Sequence, residues 1–303
     1  MNSDEIKRQA VLWFMAIRPR TLALSFSPVV LGTVLALVEK PESANWLLPG
    51  LVILAAVAIQ AGTNLFNDSA DYINGTDDQQ RIGPERITAT GQATPAEVTR
   101  AGYLMFLLAG MIGIYLVWVG GLPILLLGIL SLTAGFAYSH GPWPISRTPL
   151  GELFVILFFG IAAVAGTYYL HTRNFNPGLL LWGVAIGLPA AAVLLVNNTR
   201  DVEGDTRAGR RTLAILLDLT HVRVVYALFM LLPFVLIVLA STLASYPLGS
   251  LLGLVTLPWF MGNALLFWRT MPGPEMNRLL VRTVRAQLLL TLALSVGLYL
   301  SLL

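Results

Sequence analysis

Seven stretches of this 303-residue chain hold no charged side chain, and each is at least 18 residues long: 21–38, 46–66, 101–146, 153–170, 174–199, 224–268 and 286–303. A bilayer crossing by a helix needs about 20 mainly apolar residues. The windows 101–146 and 224–268 are twice that length and must be broken. Gly120-Gly121 with Pro123 interrupts the first and Ser245-Tyr246-Pro247 the second, both sets of turn-forming residues. The pattern predicts nine transmembrane helices, over 20–38, 46–70, 97–119, 122–140, 151–170, 178–200, 222–241, 247–268 and 281–302. Membrane strands would show short alternating segments in place of continuous apolar runs. Only 12% of the residues are charged, against about a quarter in soluble domains, and the mean hydropathy is +0.74. A soluble enzyme is excluded, and the expected fold class is an all-α membrane protein in one domain spanning 1–303.

Orientation follows from the basic residues. Of the 19 Lys and Arg, only Lys40 and Arg173 fall on one side of the nine-helix arrangement and the other 17 fall on the opposite side. The positive-inside bias places the N-terminus and the crowded loops in the cytoplasm and the C-terminus outside. The net charge of +3 is thereby explained by topology and calls for no nucleic-acid partner. Segment 1–19 lacks a cleavable apolar core and reads as an amphipathic lead-in. Cysteine is absent, which removes disulfides, thiolate metal sites and a cysteine nucleophile.

Two cytoplasmic loops, 71–96 and 201–221, hold or adjoin most of the acids, and spacing singles out some of them. Asn67 and Asp71 lie one turn apart at the end of the second helix, and Asn197, Asp201 and Asp205 share a face at the end of the sixth if that helix continues. The Asn-x-x-x-Asp pattern thus occurs twice, 130 residues apart, on one membrane side. This reads as two parallel four-helix repeats plus one helix. Carboxylate and amide oxygens suit Mg²⁺ shared with substrate phosphates. Nearby Arg81, Arg86, Arg200, Arg207, Arg210 and Arg211 suit the phosphate oxygens. A membrane surface presenting acids, arginines and an apolar interior suits ionisation of an allylic diphosphate and transfer of its prenyl group to an aromatic ring.

At these residues the chain resembles a known family. Asn67-Asp68-x-x-Asp71 with Asp77, and Asn197-Asn198-Thr199-Arg200-Asp201-x-x-x-Asp205-x-x-Ala208-Gly209-x-x-Thr212-Leu213, are similar to the two aspartate-rich motifs of the UbiA superfamily of intramembrane aromatic prenyltransferases. Arg18-Pro19-Arg20-Thr21-Leu22, Asp78-x-x-Arg81-Ile82-Gly83-Pro84-x-Arg86, Tyr138-Ser139 and Leu150-Gly151-Glu152 resemble its naphthoate-prenylating branch. The resemblance implies that Asn67, Asp71, Asp77, Asn197, Asp201 and Asp205 hold Mg²⁺, with Asp71 and Asp201 essential to catalysis. It implies diphosphate contacts from Arg207, Arg210 and Arg211, with Arg20, Arg81 and Tyr138 as further candidates. The implied donor is a polyprenyl diphosphate and the implied acceptor is 1,4-dihydroxy-2-naphthoate, prenylated with loss of CO₂ at the cytoplasmic face of the inner membrane. The chain departs from that branch in loop 141–149 and at Leu217-Asp218.

Glu152 opens the fifth predicted helix, where an acid is costly unless paired or functional, and is the candidate for the acceptor side. His140, His171 and His221 lie in different loops and make a poor metal site. Trp13, Trp46, Trp143 and Trp268 sit at predicted helix ends, as interfacial anchors do. Phe158, Phe159, Tyr168 and Tyr169 either line a prenyl tunnel or pack. Acceptors such as 4-hydroxybenzoate remain an alternative within the same chemistry. The rival class is a secondary transporter, whose acids lie near the midplane beside broken helices. A CDP-alcohol phosphotransferase would carry an Asp-Gly-x-x-Ala-Arg signature, which this chain lacks.

Overall fold

A computed structural model describes residues 3–76, 82–83, 86–243 and 246–303. Among the described residues the chain is helical, with no strand. A short leading helix, α1 (Ser3–Ala16), is followed by α2 (Pro19–Glu39), α3 (Leu47–Ile73), α4 (Pro95–Gly120), α5 (Leu122–Ala137), α6 (Gly151–Thr172), α7 (Leu179–Arg200), α8 (Leu219–Leu243), α9 (Leu248–Arg269) and α10 (Met276–Leu300). Among these, α2–α4 and α6–α10 are eight helices long and apolar enough to cross a bilayer, while α5 has 16 residues. The protein is an all-α, multi-pass membrane protein. Its outer surface is apolar where a soluble protein would be polar: Trp118 is 80% exposed and Ile114 72%. Such a face is stable against hydrocarbon and not against water.

Local chemistry explains the helix ends. Pro95 occupies the first turn of α4, and Thr94 and Glu97 form a reciprocal capping box, with Glu97 N donating to Thr94 Oγ1 at 3.3 Å and Thr94 N donating to Glu97 Oε2 at 2.8 Å. Gly121, at φ 70°, is the whole connection between α4 and α5; a side chain there would be strained. The expected break near 245–247 also occurs, since Tyr246 and Pro247 lie outside any helix and α9 begins at Leu248.

Of the boundaries that differ from expectation, two have a clear local cause. α10 begins at Met276, not near 281. The arginines that closed the uncharged window lie within the helix, and Arg282 is accommodated by donating Nε to Asn263 Oδ1 at 2.9 Å and lying 5.1 Å from the Trp259 ring. α5 stops at Ala137, and the amide of His140 turns back to Phe136 O at 3.0 Å.

The most buried element is α7, which packs among α2, α6, α8 and α10, with Trp182, Ala185 and Ile186 at its centre. Small residues allow this approach: a Cβ on Gly160 of α6 would lie 2.3 Å from the Gly183 carbonyl of α7. Around Gly160, residues Leu157–Ala162 widen into a π-helical turn, a distortion that re-aims neighbouring side chains. On the other flank α1 packs Leu12, Trp13 and Ala16 toward Leu65 and Val98, while Val11, Phe14 and Met15 point outward.

Candidate active site

The end of α3 turns two kinds of side chain in different directions. Asn67 and Asp71, one turn apart, face a large internal cavity. Asp68, rotated away, accepts hydrogen bonds from the Thr88 hydroxyl and, at 3.4 Å, from the Thr88 amide. It anchors the following loop, and that anchoring delivers Arg86 to the site. Arg86, 5% exposed, donates Nη2 to Asn67 Oδ1 at 2.8 Å and to Asp71 Oδ2 at 2.9 Å.

The end of α7 supplies the second half. α7 ends at Arg200 and a short helix, Val202–Arg207, follows. The amide of Asp201 still bonds Asn197 O at 3.2 Å and that of Asp205 bonds Asp201 O at 2.9 Å, so Asn197, Asp201 and Asp205 stay on one side and line the same cavity. Arg200, which the sequence places beside phosphate, is spent inside the motif. It is bidentate on Asp201 (2.8 and 2.6 Å) and reaches Asn197 Oδ1 and Asn277 Oδ1, each at 2.8 Å.

The two halves meet at Arg210. Gly209, at φ 70°, reverses the chain, and the Arg210 guanidinium then contacts Asp71 from the first motif and, at 3.2 Å, Asp205 from the second. The two carboxylates raise the Arg210 pKa despite the opposing effect of burial. Arg18 approaches from the opposite side, donating to Asn67 Oδ1 at 3.2 Å. Its backbone is left-handed, φ 58°, an uncommon conformation for a non-glycine residue. Burial, with Arg86 close by, pulls the Arg18 pKa down to about 9. That destabilised cation is one an arriving anion would relieve. Tyr138 lines the same end, and burial, with Glu152 nearby, pushes its phenol up to about 12.

The cavity measures about 570 Å³. Its polar end carries Arg18, Asn67, Asp71, Arg86, Asp205 and Arg210, and the rest is walled mainly by apolar side chains of α2–α7 as far as Leu116, Ile124 and Leu170, with Gln60, Thr63, Ser131 and Thr167 among them. The π-helical turn contributes Phe158 and Phe159 to that wall.

The structure sorts the remaining sequence candidates. Arg20, Arg207 and Arg211 are exposed and do not line the cavity, whereas Arg18, Arg86 and Arg210 do. Glu152, 2% exposed, lies behind the wall: Asn198 Nδ2 donates to its Oε1 at 2.9 Å and its Oε2 has no hydrogen-bond partner. Asn198, and not Glu152, faces the cavity. Asp77 and Arg81 lie outside the described residues. Arg18, which the sequence shows only as part of a motif, and Asn277 are not legible as site residues, the first for lack of any signal of its backbone turn and the second because it is 77 residues from its partner Arg200.

Among the described residues no three acids or histidines form a ready metal cage. The donor set nonetheless fits Mg²⁺: Asp71, Asp201 and Asp205, with the amides of Asn67 and Asn197, are hard oxygen donors, too few to enclose the ion and sufficient to share it with phosphate oxygens. Two of their present partners, Arg86 and Arg210, line the cavity and are groups that can bind a diphosphate brought in with the metal.

Comparison with known proteins agrees with this architecture. Residues 25–300 match the UbiA prenyltransferase family. A 1,4-dihydroxy-2-naphthoate octaprenyltransferase of Escherichia coli K12 is 33% identical over 307 residues, covering 99% of each chain. In fold, the chain is similar to a UbiA homolog from Aeropyrum pernix K1 (TM-score 0.68, 16% identity, 95% of this chain and 99% of that one). It is also similar to one from Archaeoglobus fulgidus bound to GPP and Mg²⁺ (TM-score 0.64, 16% identity, with the same coverage).

Proposed function

The chain belongs to the UbiA prenyltransferase family, and from that membership we propose that it catalyses Mg²⁺-dependent transfer of a polyprenyl group to 1,4-dihydroxy-2-naphthoate. The observation that carries the reading is the bridge made by Arg210. It joins the two acid motifs at the head of an apolar cavity, so that one end takes a diphosphate and the other its hydrocarbon tail.

Arg18, Arg86 and Arg210 take the phosphate oxygens through charge-assisted hydrogen bonds, and their charge favours the departing diphosphate over the bound ester. Tyr138 keeps its proton at neutral pH and can donate it in a hydrogen bond at the same end. Asn67, Asp71, Asn197, Asp201 and Asp205, with Asp77, are the oxygen donors that would hold Mg²⁺ jointly with the diphosphate oxygens, and the ion would supply Lewis-acid stabilisation of the leaving group. The C1–O bond of the donor breaks with its electron pair going to the diphosphate. The apolar wall excludes water, leaving the acceptor ring as the nucleophile that reaches C1. The ring carbon bearing the carboxylate forms the new bond, and departure of CO₂ returns an electron pair to the ring and restores aromaticity. No general base is required. On the acceptor side, Glu152 fixes the Asn198 amide so that Oδ1 is turned to a ring hydroxyl.

A product assay tests this. Purified protein with Mg²⁺ and a polyprenyl diphosphate should convert 1,4-dihydroxy-2-naphthoate to a product with the mass of the prenylated naphthoquinol lacking the carboxyl group, and 4-hydroxybenzoate should be a poor acceptor. A carboxyl-retaining product, or preference for the benzenoid acid, would reject the naphthoate assignment.

The topology belongs to the same proposal. We read nine crossings, α2–α10, as two four-helix units, α2–α5 and α6–α9, followed by α10. This reading is supported by the placement of Asp71 and Asp201 at the ends of the second helix of each unit. With the N-terminus cytoplasmic, single cysteines at Asn74 and Thr206 should be labelled from the cytoplasmic side and those at Glu42 and Asn174 from the other. Labelling of Asn74 and Thr206 from opposite sides would defeat both the nine-crossing topology and the shared site.

A further inference from the structure

Away from the catalytic cavity, a second cleft of about 220 Å³ lies along the seam between α8 and α9, lined by Ala227, Leu231, Met261, Ala264, Leu265 and Trp268. It shares no residue with the first. Ala227 and Leu231 follow Arg223 at i+4 and i+8, so all three lie along one face of α8. Arg223 therefore caps the groove at the end where α8 begins and α9 finishes, the membrane side that carries the acid motifs.

The setting of Arg223 is unusual for a cation at a helix end. Its Nη2 reaches only Thr270 O, at 3.4 Å, and Met271 Sδ, at 3.8 Å, and its Cζ lies 5.9 Å from the Trp268 ring centroid. Its Nε is buried with no hydrogen-bond partner. No acid pairs with it among the described residues, and Arg269, exposed beside Trp268, adds a second positive charge. A zwitterionic lipid would fill the apolar part but bring its own cation beside Arg223 and Arg269, and a soluble anion would answer the charge and leave the groove empty.

We propose that the α8/α9 seam binds an anionic phospholipid, with Arg223 on the headgroup phosphate and one acyl chain lying in the groove below. Basic pockets between membrane helices are suited to such headgroups. The small side chains of Ala227 and Ala264 keep the groove open, and the Trp268 ring holds the guanidinium at headgroup level.

Native mass spectrometry of the full chain, released from nanodiscs holding equal phosphatidylglycerol and phosphatidylcholine, tests the site. The wild-type protein should retain phosphatidylglycerol preferentially. Arg223→Gln should cut that preference about five-fold, the equivalent of one basic contact with an anionic lipid, and Arg223→Lys should keep most of it. Ala227→Phe, which fills the groove, should lower retention of phosphatidylglycerol with Arg223 intact. Turnover in neutral detergent should be unchanged in all three, showing that each is folded. An unaltered lipid preference in Arg223→Gln, or unaltered retention in Ala227→Phe, would overturn the proposal.

Discussion

Asp71→Asn is expected to lower turnover about 10²- to 10³-fold, the scale of losing one preorganised electrostatic contact to a leaving group. Asp71 is the position where the site's charges converge: it accepts from Arg86 at 2.9 Å and from Arg210, and it lines the cavity opposite the second motif. Asparagine keeps the shape and one acceptor oxygen but removes the charge that a hard cation and two guanidiniums need. Asp201→Asn should behave alike. Removing one partner of a buried ion pair costs about 3–5 kcal/mol of stability. The retained amide oxygen limits that loss, so a melting measurement should find the protein folded while the rate collapses. Chelation should abolish wild-type activity and added Mg²⁺ should restore it. Glu203→Gln, exposed on the outer side of the short helix, should be close to silent. Wild-type turnover in either aspartate variant would refute the shared site.

Arg210→Gln should be the next most damaging change after the two aspartate variants, about 10²-fold in kcat/KM, with weaker inhibition by inorganic diphosphate. The loss has two sources: a cation for the leaving group disappears, and Asp71 and Asp205 lose the group that bridges them, one of them 139 positions from it in sequence. Arg210→Lys separates these. A lysine restores charge at one point but has no planar fork with which to touch both carboxylates at once. It should recover part of the diphosphate inhibition and little of the rate. Equal behaviour of the Gln and Lys variants would mean that charge alone, without the bridge, does not matter.

How much of this was legible beforehand depended on the range of the interaction. Helix placement is written into local composition, and the breaks at Gly121 and near Pro247 follow from residues that cannot continue a helix. The start of α10 was obscured because Arg278 and Arg282 read as a loop until Asn263 and Trp259, on a different helix, are known to receive Arg282. In the candidate site, the placement of Asn67, Asp71, Asn197, Asp201 and Asp205 along one cavity is legible because a helix converts spacing into a shared face. The arginines were harder. Arg18 and Arg20 flank one proline and look alike in sequence, yet a left-handed turn at Arg18 sends it to Asn67 and leaves Arg20 in solvent. Arg86 depends on the Asp68–Thr88 anchor, and Asn277 on the return of α10. These are tertiary choices that no local pattern records.

The shortness of α5 has a consequence for the membrane itself. Its 16 residues extend about 24 Å at 1.5 Å per residue, against a hydrocarbon thickness of about 30 Å. The neighbouring helices are long enough to span that thickness upright or tilted, so the mismatch is confined to one flank of the molecule. If α5 crosses as proposed, lipids beside it compress and the headgroup plane dips toward the bilayer centre there, at a cost of a fraction of a kcal/mol for each Å. Because α5 also walls the catalytic cavity, that dimple lies next to the space meant for a long hydrocarbon tail. In the nine-crossing topology, bilayer thickness thereby becomes a variable of the enzyme, with thick membranes straining the one wall that thin membranes leave relaxed.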